Sequence, residues 1–395
     1  MKCRYYLSKT LWGCILTFFI LVIGCSKAPQ IGQPGGPAPA VVDIWHSLQG
    51  AAADALQGQI QTIMQAHPEV IINLKYVPEQ NFVSYSYQAE AGGEGPEIFI
   101  ASREIIRQLY EHGTLAKVVY TDQEAFPASL SLFQYGGVAY ASPWLTDIPL
   151  LYFRTDIASI PADLDDLFSN KGGVTIAAPD TISLSAWWNG QGGRLSHAGT
   201  PILDDPINLM FLKQLLGWQD AKSFRIDPSV LNTFASGKTP FMIAGASQAK
   251  FLNQQGVPWG CMRLNELIGG QGQPLLGTTL GIANSAIKTQ EAMISAIQTV
   301  EKALQTPEVE EAMLQSGGLL PANMGFYQRP EAQKGVFPQA NIALAKAWAI
   351  DGNALEWKLI SFQDEAWSNV LVGSFTPEDA LVNAQEKAIK ILAAK

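Results

Sequence analysis

Several side chains in this chain have the types and settings that bind a small polar ligand. Trp45-His46-Ser47-Leu48-Gln49 follows an apolar run. His46 and Gln49 carry the paired donors and acceptors that hydroxyl groups need. Glu104 and Asp147 are acids beside apolar stretches, and Trp144 stands just before Asp147. A carboxylate can accept two hydroxyl hydrogens at once. Trp187 and Trp188 precede Gly190-Gln-Gly-Gly193, Gln248 follows Gly245-Ala246-Ser247, and Trp367 lies near the carboxyl terminus. Aromatic faces stack on the C–H faces of a polyhydroxylated ring, so the set suits such a ring better than an ion. Each residue also has a plainer role. Trp45 and Trp367 can be core, His46 can order its loop, and Glu104 can be a first-turn acid favoured by the helix dipole. Asp147 can cap or pair with groups of its own local structure. Neighbouring helical positions point about 100° apart, so only one of Trp187 and Trp188 is expected to reach a cleft.

Other chemistries fit poorly, and no catalysis, cofactor or metal is expected. Gly245-Ala246-Ser247-Gln248-Ala249 lacks the last glycine of a nucleophile elbow. Ser236-Gly237-Lys238-Thr239 has Asn232 where a phosphate loop needs its first glycine. His46, His67, His112 and His197 show no metal-ligand spacing. The 395-residue chain has a net charge of −9, and −12 without the basic start that holds Lys2, Arg4 and Lys9. Such acidity argues against nucleic acid, whose phosphates are bound by Lys and Arg. Cys261, beside Trp259 and Met262, reads as a buried and inert thiol.

The elements that position these residues read as α/β. Val41–Trp45 is a strand, Leu56, Ile60, Ile63 and Met64 recur at helical spacing, and Val70–Val77 is a second strand. This β-α-β order predicts parallel pairing. Ile98–Ala101 has the pattern of a strand buried on both faces. Ser102 is placed to cap a helix whose inner face is Ile105, Ile106 and Leu109, and Gly113 closes it. In an open parallel sheet, ligands collect at the carboxyl end of such a strand, near Ser102–Glu104. Apolar runs at Val138–Leu145, Ile148–Phe153, Val174–Ala178, Phe241–Ala244 and Thr278–Ala283 read as further strands. A helix is expected within Ser183–His197. Asp205-Pro206 and Asp227-Pro228 announce two more, Thr289 caps another, and three helices near 338–350, 354–371 and 376–393 end the chain.

The start is a basic segment and an apolar run, Leu11–Ile23, ending Val22-Ile23-Gly24-Cys25. It is short for a membrane span and has the form of a secretory leader. It resembles the bacterial lipobox, which implies a signal peptide over 1–24 and a lipid on Cys25. The Pro/Gly-rich segment 25–40 reads as a tether.

Ile44-Trp45-His46-Ser47, Gly95-Pro96-Glu97-Ile98-Phe99, Leu151-Tyr152-Phe153-Arg154, Phe234-Ala-Ser-Gly237-Lys238 and Thr376-Pro-Glu-Asp-Ala-Leu add to that leader. In order and spacing they resemble the sugar-binding lipoproteins of bacterial ABC importers, the maltose-binding-protein-like family. The chain departs from the family in ending a strand with Phe153-Arg154 and in lacking an aromatic after Gly245. The resemblance implies a two-lobed, type II periplasmic-binding-protein fold with the ligand cleft between lobes. The first lobe is expected to hold 41–145 and 279–328, the second 146–278 and 329–395. It also implies ligand contacts at Glu104 and Asp147, a small carbohydrate as ligand, ABC permease subunits as partners, and a monomer. The protein would be exported and lipid-anchored, facing the periplasm or the cell exterior. The alternative is a sensor or structural lipoprotein that kept the fold without transport.

Overall fold

The computed structural model describes residues 38–393 apart from 119–123, 170–171, 287–290 and 353. Cys25 with its leader, most of the tether, and the cap expected at Thr289 lie outside the described residues. Two sheets carry the fold. The first runs Leu320–Pro321, Ala141–Thr146, Leu280–Ser285, Ile98–Ser102, Ala40–His46, Val70–Tyr76, and Leu115–Ala116 also pairs with Leu280–Ser285. The second runs Phe224–Ile226, Val174–Ile176, Phe241–Gly245, Pro149–Arg154, Trp259–Met262.

Ala40–His46 is parallel to both Val70–Tyr76 and Ile98–Ser102, as the β-α-β pattern predicts. Beyond these strands the sheet is mixed. Leu280–Ser285 inserts between Ile98–Ser102 and Ala141–Thr146 and is antiparallel to both. It arrives from the second sheet rather than through a crossover helix on the first, so its direction is reversed. Ile98–Ser102, Ala141–Thr146, Pro149–Arg154 and Leu280–Ser285 are buried along their whole length, which is why Ile98–Ala101 and Pro149–Phe153 read as continuous apolar runs, whereas the other two also bury polar Ser142, Thr146, Asn284 and Ser285.

Helix ends follow local chemistry unevenly. Arg103–Glu111 starts directly after Ser102 and buries Ile105, Ile106 and Leu109, but the Ser102 hydroxyl makes no capping bond. Asp205 caps a helix that starts at Pro206. Asp227-Pro228 opens a turn instead: Asp227 accepts the Ser229 N–H at 2.8 Å and the Thr233 hydroxyl at 2.6 Å, and the helix begins only at Val230. The helix expected within Ser183–His197 is Thr181–Gly190, capped by Asp180, and Ser196–His197 pairs with Thr200–Pro201. Phe337–Ala345, Leu355–Leu371 and Pro377–Ala393 are the terminal helices.

The strand order brings chain ends together at the site. Leu280 sits opposite both Ser102 and Leu145, so three strand ends meet at one edge of the first sheet. Chain leaves that edge after Thr146, enters the second sheet at Pro149 opposite Gly245, and returns just before Leu280.

A candidate ligand cleft at the chain crossing

The two crossing segments are tied to each other. The hydroxyls of Thr146 and Thr279, both fully buried, lie 2.9 Å apart. The Gly277 N–H donates to the Asp147 carbonyl at 2.9 Å. Asp147 is the centre of this junction. Its Oδ1 accepts the N–H groups of Ile148 at 2.9 Å and Ser247 at 3.0 Å, and its Oδ2 accepts the Ser247 hydroxyl at 2.6 Å. Burial raises its pKa, and these hydrogen bonds oppose the rise. A Cβ on Gly245 would fall 2.0 Å from Oδ2, so only glycine lets the strand end approach this closely.

Beside the junction is a cavity of about 460 Å³, lined by Arg103 and Glu104 after the first sheet, Asp180 and Ser183 after the second, Asp147 and Thr278 at the crossing, and Asp364. This volume is in the range of roughly 300–1,000 Å³ usual for small-molecule sites. Glu104 accepts a hydrogen bond from Arg103 Nε at 2.8 Å. The Arg103 guanidinium also sits 3.9 Å over the Trp357 ring. Among the described residues, Arg103 Nη1 and Trp357 Nε1 are both buried without a hydrogen-bond partner. Across the cavity, Asp364 Oδ1 accepts the N–H and the hydroxyl of Thr181, each at 2.6 Å. Asp180 accepts the N–H of Ser183 at 2.7 Å and its hydroxyl at 3.0 Å.

Of the residues the sequence nominated, the cavity collects Glu104 and Asp147. The tryptophans require correction. Trp144, Trp187, Trp188 and Trp367 are fully buried and cannot offer a face to a ligand in the cleft. The Trp144 indole donates to the Leu304 carbonyl at 2.9 Å, and that of Trp187 to the Leu264 carbonyl at 2.8 Å. Trp188 donates to Asn208 Oδ1 at 2.9 Å, and Trp367 packs against Trp188 and Phe211. Adjacent Trp187 and Trp188 are both interior because their helix is covered on two sides. Trp45 is buried as well: its ring stacks on Tyr85 at 5.1 Å, with Lys75 Nζ 4.3 Å from its centroid. His46 is buried next to Tyr76, and among the described residues its Nδ1 has no hydrogen-bond partner; desolvation lowers its pKa, and a backbone hydrogen bond at Leu48 opposes the shift. Gln49 is exposed ahead of the Gly50–Ala66 helix, and Gln248 lies in the Ala246–Gln248 turn, 3.4 Å from the Ser247 hydroxyl. Neither lines the cavity.

Arg103, Asp180, Ser183 and Asp364 were missed. Asp180-Thr181-Ile182-Ser183 carries a helix-capping pattern, since Asp180 accepts the Ser183 N–H. Asp364 stands as an acid on an apolar stripe, one turn from Ile360 and Trp367 on the inner face of Leu355–Leu371, a local signal of burial but not of its partners.

Burial pushes Asp364 up to about 6, with Asp180 adding to the rise and the Thr181 bonds opposing it. The unfolded chain releases this proton near pH 4 and the folded one near 6. Stability contributed by the group is therefore lost as pH rises across that window. A pKa moved from about 4 to about 6 corresponds to about 3 kcal/mol. Asp364→Asn can still accept from Thr181, so it should gain about 3 kcal/mol relative to the parent between about pH 4 and pH 7. Urea unfolding of the pair at both pH values reads this directly, and a constant difference would remove the assignment.

The profile of the bacterial extracellular solute-binding protein family matches residues 59–339. No curated protein sequence matches the chain. Among solved structures, the chain is similar to the GacH receptor of Streptomyces glaucescens, solved unliganded and with acarbose and an acarbose homolog. That likeness has a TM-score of 0.74 at 19% identity over 90% of this chain and 99% of that one. A cyclo/maltodextrin-binding protein complexed with maltotetraose gives 0.76 at 17% over 90% and 98%. The maltose/maltodextrin-binding domain MalE from Bdellovibrio bacteriovorus, bound to maltotriose, gives 0.72 at 17% over 90% and 100%. At such identities the likeness is one of fold, two α/β lobes.

Proposed function

The chain belongs to the bacterial extracellular solute-binding proteins, and on that premise we propose that it captures a small carbohydrate between its lobes and delivers it to an ABC permease. The observation that carries this reading is the cavity at the chain crossing, which takes Arg103 and Glu104 from one sheet edge and Asp180 and Ser183 from the other. A ligand that touches both lobes biases the hinge toward closure, whereas one that touches a single lobe cannot. Carboxylates on one wall accept ligand hydroxyl hydrogens; Arg103 Nη1, buried without a partner on the other, is a donor for a hydroxyl oxygen.

The first lobe is proposed to hold 41–145 and 279–328, the second 146–278 and 329–395, although Phe337–Ala345 packs on Pro127–Leu132 of the first. Cys25 is proposed as the lipid anchor after loss of 1–24, leaving a monomer tethered by 25–40 and facing the periplasm or cell exterior. Mass spectrometry of the mature amino terminus tests the anchor; an intact leader or a different start removes it.

A thermal-shift screen against saccharides tests the ligand class, because a ligand at a hundred times its Kd adds about 2.7 kcal/mol of apparent stability. A shift with at least one mono- or oligosaccharide is expected. No shift with any saccharide, together with a shift on an amino acid or peptide, would overturn the carbohydrate reading.

A further inference from the structure

We infer that the cleft selects a saccharide carrying a positively charged nitrogen, an amino sugar in preference to a neutral one; this rests on the carbohydrate reading above. Asp180 and Asp364 converge on the first turn of the Thr181–Gly190 helix and both line the cavity. Asp364 commits Oδ1 to Thr181, and among the described residues Oδ2 has no protein donor. A helix amino terminus supplies roughly half a positive charge. Two carboxylates exceed it, and among the described residues neither has an ion-pair partner. The one basic side chain lining the cavity among the described residues, Arg103, is already paired with Glu104. Asp147, buried at the back, adds a third acid on the second sheet's side. The cavity therefore holds negative charge that the protein itself leaves unneutralised.

An independent feature points to the rest of the ligand. Arg103 has a side chain only 11% exposed, and its Nη1 has no acceptor. It calls for an oxygen, and a ligand with both a cationic nitrogen and hydroxyl oxygens answers both walls. A neutral sugar can hydrogen-bond to both walls but leaves the charge of the acids unneutralised. A metal ion answers the acids alone, and among the described residues no group of three or more His, Cys, Asp or Glu is placed to hold one. Among the described residues no aromatic side chain lines the cavity, so ring stacking does not compete with charge in setting preference.

Calorimetric titration with three β-1,4 disaccharides separates these terms: cellobiose, diacetylchitobiose and fully deacetylated chitobiose, which share a linkage and differ in the amine. Near pH 7 the deacetylated form should bind about tenfold or more tighter than either neutral one. Asp364→Asn and, separately, Asp180→Asn should bring the three to within about twofold. Lowering the pH to about 5 should do the same in the parent, because Asp364 takes up a proton while the amine stays charged. Among the described residues, the other charged groups lining the cavity with Asp364 are Asp180, Asp147, Glu104 and Arg103, and of these Asp180 raises its pKa. Neutral disaccharide bound as tightly as the amine, or maltotriose bound and the amine not, overturns this inference and leaves the carbohydrate reading standing. No binding of any saccharide overturns both.

Discussion

Replacing Trp188 by alanine is expected to cost about 3–5 kcal/mol of folding stability while leaving the ligand affinity of the folded protein unchanged. The side chain is fully buried in the core against the second sheet, edge-on to Trp367 with ring centroids 6.4 Å apart. Its indole N–H is held by Asn208 Oδ1 at 2.9 Å, and Asn208 in turn bonds the Arg194 and Ile202 carbonyls at 2.7 and 2.9 Å. Gly193 closes over the ring so tightly that a Cβ there would meet Trp188 Nε1 at 2.2 Å. Truncation would leave a cavity walled by a hydrogen-bonded network that cannot collapse into it, the condition for a cost at the upper end of the range. Urea unfolding reads the stability and calorimetric titration with a bound saccharide reads the affinity. Lost affinity at unchanged stability would return the residue to a stacking role.

Asp147→Ala should destabilise the protein by about 2–5 kcal/mol, and Asp147→Asn by much less. Alanine strands the Ile148 and Ser247 N–H groups, and an orphaned buried donor costs about 1–3 kcal/mol. Removing a carboxylate whose burial is itself unfavourable offsets part of that cost. Asparagine keeps an acceptor for both N–H groups, and the Ser247 hydroxyl can turn to accept from the new amide. Because the acid joins the crossing at 147–148 to the turn at 247, alanine should also loosen this crossing. Small-angle scattering without ligand should then show a larger radius of gyration for Asp147→Ala than for the asparagine variant. Equal stability in the two variants would show that these bonds do not hold the junction.

Local sequence was enough for the layered α/β pattern, since strands buried on both faces, such as Ile98–Ser102 and Pro149–Arg154, must be continuous apolar runs. It was enough also for the inner face of Arg103–Glu111 and the start at Pro206, where periodicity and capping act within one turn. Glu104 was legible for the same local reason: a strand end in an open sheet lies where ligands gather. Long-range packing placed the rest of the cleft. Helical periodicity distinguishes an inner face from an outer one, but a core and a cleft are both inner, so Trp187, Trp188 and Trp367 could not be placed by pattern. Asp147 was found but its oxygens were not, because their partner Ser247 is 100 residues away. Asp364 and Thr181 are 183 residues apart and meet only when the Leu355–Leu371 helix packs against the Thr181–Gly190 helix. A carboxylate's role depends on which donors surround it, and donors brought from that far along the chain leave no mark in its local sequence.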